Sequence, residues 1–265
     1  MTISQKNISD FTATLLINDF SSLVSYPSMK NVLSNDWAEY DGLEVDLSAP
    51  KLDKKTLELS FLLADKSKYF DFIAFLLEQN HRDWYFPDVE KVFKLRIVEF
   101  SGYQEFLNKS EIKIKLSDDL PLWNYTYNPV TINQGTDDWF LDGVAFSKYG
   151  IVVLEGSENV YSEKEVKPIL EVTNGLLSGV KTFDQSLKKK SRKATIKCFL
   201  NCELSNFWNI YYGFLHNWIK KNARELRAET KTYQCYYESS KVLYFDLHEN
   251  KTRVRCQFDM NIVII

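Results

Sequence analysis

The order strand, helix, strand, strand occurs twice in this chain of 265 residues, about 140 residues apart. In the first copy, "KKTLELSFLLA" places Leu57, Leu59, Phe61 and Leu63 on one face of an extended segment. In "DKSKYFDFIAFLLEQN", Ser67 stands as a helix cap before Tyr69, Phe70, Ile73, Leu76 and Leu77, spaced at three and four. "VFKLRIVEF" and "EIKIKL" alternate again as two strands. In the second copy, "RKATIKCFLNC" repeats the first strand, and "ELSNFWNIYYGFLHNW" repeats the helix with Ser205 at the cap and Phe214 matching Leu76. "TYQCYYESSKVLYFDL" and "TRVRCQFDMNIVII" then supply the later strands, Cys235 matching Leu95.

A pattern written twice predicts a duplicated, β-rich α+β protein. Two similar domains are expected over residues 1–119 and 137–265, each a small antiparallel β-sandwich or barrel with one flanking helix. The stretch 120–136, with Pro121, Pro129, Gly135 and many polar residues, is expected as their linker. Aromatic residues make up 15% of the chain while Gly (9) and Pro (6) are scarce, which favours strands and broad packed surfaces.

A formal charge of −3 lacks the electrostatic footprint of a nucleic-acid binder. The amino terminus has no basic region leading into a long apolar run, and no segment approaches 18 uninterrupted apolar residues. No signal peptide and no membrane contact are therefore expected, with synthesis in the cytoplasm. Cys198, Cys202, Cys235 and Cys256 lack zinc-knuckle spacing and are expected as buried thiols, so no metal and no cofactor is assigned.

Catalytic chemistry finds little support. His81, His216 and His248 are scattered, no Ser or Cys stands in a nucleophile context, and the pairs Asp118-Asp119 and Asp137-Asp138 suit turns better than a carboxylate dyad. The chain is therefore expected not to be an enzyme.

The second helix carries more apolar surface than one sheet can cover. Trp208, Tyr211, Tyr212, Leu215, Trp218 and Ile219 form one face, widened by Phe207, Ile210 and Phe214, whereas one sheet needs a stripe of about 100°. The other domain, the linker with Leu122 and Trp123, and another subunit are the three possible covers. A second candidate contact is the run "KKKSRK", where Lys188, Lys189 and Lys190 stand either on a solvated loop or against a neighbouring subunit. "WNYTYN", Trp123 to Asn128, supports the alternative of a soluble carbohydrate- or peptide-binding module.

The opening of the second copy, "WFLDGVAFSKYGIVVLEG", is similar to the strand, Asp-Gly turn and "YGI" strand that begin distal tail, baseplate and tail-tube-like proteins of phages. In the first copy Asn18-Asp19 stands where the second has Asp142-Gly143, and no "YGI" follows, so the first half is expected to lack this opening. The resemblance implies a structural subunit of a phage or prophage tail. It further implies a homo-oligomeric ring with other tail proteins as neighbours, location in the virion tail, and no active site.

Overall fold

The computed structural model describes residues 1–16, 20–123, 125–126, 136–169, 171–173, 175–176, 178–182, 186–220 and 222–265. The first half holds β1 (Thr2–Ile3), β2 (Lys6–Asn7), β3 (Ala13–Leu16), β4 (Ser34–Asn35), β5 (Glu44–Val45), β6 (Lys55–Leu63), β7 (His81–Phe86), β8 (Lys91–Phe106) and β9 (Lys109–Asp118). The second holds β10 (Trp139–Leu141), β11 (Val144–Ala145), β12 (Ile151–Val153), β13 (Glu171–Val172), β14 (Lys181–Thr182), β15 (Arg192–Glu203), β16 (Arg224–Ala228), β17 (Lys231–His248) and β18 (Arg253–Ile264). The α-helices are α1 (Ser21–Val24), α2 (Tyr69–Leu77) and α3 (Leu204–Trp218).

Two seven-stranded sheets form, ordered β2-β1-β7-β8-β9-β6-β3 and β11-β10-β16-β17-β18-β15-β12. The second order is the first with each strand replaced by its counterpart, and all the ladders are antiparallel. The architecture is the expected β-rich one, two β-sandwich-like units each with a flanking helix. Strict alternation of burial along β6 and β15 follows from their period-two apolar pattern.

The opening of the second half folds as its residues predict. Asp142 and Gly143, with φ of 47° and 79°, make the tight turn between β10 and β11, and the Glu225 N–H donates to Asp142 Oδ1 at 2.9 Å. Gly150, at φ 66°, then turns the chain into β12. The first half has the same construction at its own beginning. Ser4 and Gln5, at φ 48° and 68°, join β1 to β2, and Thr12, at φ 54°, stands where Gly150 does, before β3. The counterpart of Trp139–Val153 is therefore residues 1–15, which corrects the expectation that the first half lacks this opening. Asn18 and Asp19 lie outside the described residues. The physical reason for the misreading is that residues other than glycine occupy the left-handed region at Ser4, Gln5 and Thr12, so no Asp-Gly signal marks the turn.

The helices correspond with α3 beginning about two turns earlier. Phe11 lies 5.4 Å from the Phe72 ring and 5.0 Å from that of Phe75. Its counterpart Tyr149 lies 5.4 Å from Phe214 and accepts a hydrogen bond from Asn217 Nδ2 at 2.9 Å. Phe214 thus answers to Phe72, not to Leu76. Neither serine caps: the Asp65 carboxylate accepts the Ser67 N–H at 2.9 Å, and α3 follows Glu203 without a side-chain cap. The match of Leu95 with Cys235 holds, because they pair with Arg82 and Arg224 at the same register of β7 and β16.

The halves share one buried apolar cluster. Residues 21–29 leave the first sheet and pack on the second. The Tyr26 N–H donates to Tyr211 Oη at 3.3 Å, Tyr237 Oη donates to the Pro27 carbonyl at 3.0 Å, and the Val242 N–H donates to Ser25 Oγ at 3.0 Å. Buried Lys55 holds this crossing by donating to the Leu23 and Ser25 carbonyls at 2.6 and 3.2 Å, and burial pushes its ammonium down to about 8. Buried Lys167 ties down the loop before β5 through the Trp37 and Gly42 carbonyls, each at 2.7 Å.

Candidate assembly surfaces

The broad apolar face of α3 is covered from within the chain. Trp208 donates its indole N–H to the Val89 carbonyl at 2.8 Å, meets Phe93 at 5.8 Å, and lies 4.7 Å beneath the Lys91 ammonium. Tyr212 is wholly buried, with Tyr26 at 5.1 Å and Tyr125 at 5.6 Å. Tyr211, Leu215 and Trp218 are buried, and Ile219 is partly buried against the same core. Of the three expected covers, the other half and the linker provide it. First-half groups meet Trp208, Tyr211 and Tyr212, while Leu215, Trp218 and Ile219 pack into the same apolar core.

The basic run is likewise tied into the chain by its backbone. The Lys188 carbonyl accepts the Lys167 N–H at 2.7 Å, and the Lys189 N–H donates to Asp41 Oδ1 at 2.7 Å. The Lys190 ammonium pairs with Glu165 at 3.0 Å. Trp123 is 42% exposed, with the Lys94 ammonium 5.4 Å from its ring. Asn124, Tyr127 and Asn128 of the aromatic stretch lie outside the described residues.

Asp119 gathers groups that the sequence leaves far apart. It accepts Arg96 Nε and Nη2 at 2.6 and 3.0 Å and the Ser117 hydroxyl at 2.6 Å, and it lies 2.9 Å from His81 Nε2. The Arg96 guanidinium, with help from the Ser117 and His81 bonds, holds its carboxyl well below the usual range. This is not a nucleophile triad. Ser117 gives its proton to the carboxylate rather than to the imidazole, and a carboxylate so well stabilised is a weak base. His216 lies by Tyr26 and Tyr125, where burial lowers its pKa, and His248 stands near Glu249. Among the described residues, no group of three His, Cys, Asp or Glu is placed to hold a metal ion.

The surface that sequence reasoning missed is on α2. With Phe214 answering to Phe72, Phe70 answers to Tyr212 and Leu77 to Ile219. Tyr212 is 0% exposed, yet Phe70 is 78% and Leu77 59% exposed. Beside them the Tyr103 and Tyr69 rings meet at 4.7 Å, tilted by 57°. At the end of the β8–β9 hairpin Phe106 is exposed and Leu107 is 92% exposed. Acidic Asp71 and Glu78 border this face. A signal was available: Tyr69, Phe70, Ile73, Leu76 and Leu77 span more of the helix than a single stripe, as in α3.

Among the described residues no helix is long and apolar enough to cross a membrane. No family model matches the chain. No curated protein matches it. Among solved structures it is similar to the Dit protein of phage SPP1, described as a paradigm of the hub adsorption apparatus in phages infecting Gram-positive bacteria. The identity is 9%, over 99% of this chain and 96% of that chain, with a TM-score of 0.34, a likeness too slight to place residues.

Proposed function

We propose that this chain is a structural subunit of a phage or prophage tail, in the distal-tail or baseplate region, and that it works by ring-like assembly with copies of itself and with other tail proteins. The observation that carries assembly is the contrast between the two helices. The outer face of α3 is buried by the first half, while the outer face of α2 presents Phe70 and Leu77 to solvent. The assignment to a tail rests on the resemblance of the segment "WFLDGVAFSKYGIVVLEG" to tail-protein openings. That reading is supported by the same strand, turn and strand construction at the start of both halves. On this reading the chain performs no catalysis and binds no cofactor.

Antibody labelling of tailed particles from an induced lysate tests the location. Gold label confined to the end of the tail is the expected result. Intact tails without label, with the protein recovered only in the soluble fraction, would overturn it.

A further inference from the structure

We propose that the β13–β14 hairpin of one copy of this chain seats on the base of the β4–β5 hairpin of the next copy. It would repeat between chains the contact that the β4–β5 hairpin makes within one. This inference rests on the ring reading above and specifies its interface.

The two hairpins are built alike at one constant offset along the chain. β4 and β5 answer to β13 and β14, with Ser34 facing Val45 and Glu171 facing Thr182. At the base of each, an isolated antiparallel bridge joins Met29 to Leu52 and Val166 to Lys189. The same two backbone bonds close around each bridge. The Lys30 N–H donates to the Lys51 carbonyl at 2.8 Å, and the Lys167 N–H to the Lys188 carbonyl at 2.7 Å. The Asp53 N–H donates to the Ser28 carbonyl at 2.8 Å, and the Lys190 N–H to the Glu165 carbonyl at 2.7 Å. At the head of each hairpin a glycine holds left-handed backbone, Gly42 at φ 71° and Gly179 at φ 95°.

The head of the first hairpin is already seated on the base of the second. The Gly42 N–H donates to the Lys189 carbonyl at 2.7 Å, and the Lys189 N–H donates to Asp41 Oδ1 at 2.7 Å. Lys167 is buried as it reaches the Trp37 and Gly42 carbonyls. The approach is so close that a Cβ at Gly42 would stand 2.8 Å from the Ile265 main chain.

The counterpart of each side is bare. At the head of the second hairpin, a Cβ at Gly179 would meet nothing within 4 Å among the described residues, and Leu176 is 96% exposed. At the base of the first, Lys30 answers to Lys167, yet it is exposed and its ammonium has no partner among the described residues. Leu52 answers to Lys189. Because the flanking residues close the bridge, Leu52 turns its N–H and carbonyl outward, and among the described residues no backbone bond takes them.

A bare head and a bare base that match an occupied pair name each other as partners. The Gly179 N–H of one copy donates to the Leu52 carbonyl of the next, and Lys30 there closes on the Gly179 carbonyl. Charge changes on both sides together. Glu39, Asp41 and Glu44 of the first head give way to Leu176, Ser178 and Lys181, while Lys189 and Lys190 of the second base give way to Leu52 and Asp53. The bare head therefore suits the bare base better than the lysine-rich one already filled. Head and base differ, so the contact is heterologous, and successive copies continue around an axis with the halves alternating.

Ala38 and Lys188 line one small cavity within the chain, and their counterparts Gly175 and Lys51 are both exposed. The test mixes Gly175→Cys protein with Lys51→Cys protein and adds a short bis-maleimide, the four native thiols being buried. A cross-linked dimer that requires both variants is expected. The double variant Lys30→Glu, Leu176→Asp, whose sites are exposed, is expected to fold normally and lose self-assembly by about tenfold or more. Assembly undiminished in that variant, or a dimer formed by Gly175→Cys protein alone, would overturn this contact while leaving the ring reading intact. So would a chain carrying both cysteines that cross-links only within itself. A wild-type chain that never self-associates would overturn both.

Discussion

Tyr26 and Tyr212 meet edge to face, their ring centroids 5.1 Å apart at 88°, although one belongs to the first half and the other to the helix of the second. Tyr26 also stands edge-on to Tyr237 at 5.9 Å. A ring buried this fully in the other half's core couples their unfolding. Tyr26→Ala is expected to cost about 3–5 kcal/mol and to lower a single calorimetric transition as a whole. Two separated transitions in the wild type, with only one moved by the substitution, would contradict this coupling.

The first turn of the chain is more strained than its counterpart, where Gly143 takes one of the two left-handed positions. Ser4 and Gln5 both hold left-handed backbone, a conformation costing roughly 1–2 kcal/mol for an ordinary residue. Replacing the pair by Asn-Gly relieves that cost and gives back part of it in the greater freedom of the unfolded chain. The double substitution is expected to stabilise by about 0.5–1 kcal/mol, read as a shifted denaturant midpoint. A loss of stability would mean that these side chains make contacts the turn depends on.

Alkaline stability has a definite sign. Burial pushes the Cys202 and Cys235 thiols up to about 12, and it raises Cys198, Tyr26 and Tyr211 in the same direction. Folded values above unfolded ones mean stability that is complete below about pH 8.5 and is lost as pH rises toward the folded values. By about pH 10.5 Cys202 and Cys235 each withdraw about 3 kcal/mol. Lys55 acts oppositely, its folded value near 8 being below the unfolded one, and it returns about 3 kcal/mol over the same range. The sum is a net loss. Denaturant titrations at pH 8 and 10.5 are expected to show it, and unchanged stability would contradict the burial of these groups.

Acid stability should depend on Asp119. Its carboxyl is held below the usual value by Arg96, Ser117 and His81, so its contribution is present above the unfolded pKa and disappears as pH falls through the folded one. Asp119→Asn is expected to flatten the fall in stability below pH 4. An equally steep fall in the variant would show that other carboxylates dominate it.

The elements most legible in the sequence were those whose burial follows a simple period. Leu57 to Leu63 and Ile196 to Leu200 alternate because one face of each strand is core. The helices were legible as helices, but their match was a turn out. Phe70 and Leu77 stand on the solvent side of α2 yet are as apolar as its buried residues, so periodicity alone could not choose the frame. The first turn escaped notice because Ser4 and Gln5 adopt left-handed backbone without glycine. The bonds from His81 and Arg96 to Asp119 span 38 and 23 residues, a convergence that no local spacing encodes. The cover over α3 came from Tyr26, in a stretch whose irregular pattern gave no hint of crossing to the other half.

Electron microscopy of the purified wild-type protein at high concentration, with its mass by light scattering, tests the proposed assembly most directly. Closed rings of uniform diameter, with a mass that is a whole multiple of the chain, are the predicted result. A lasting monomer that instead binds glycans would contradict the account.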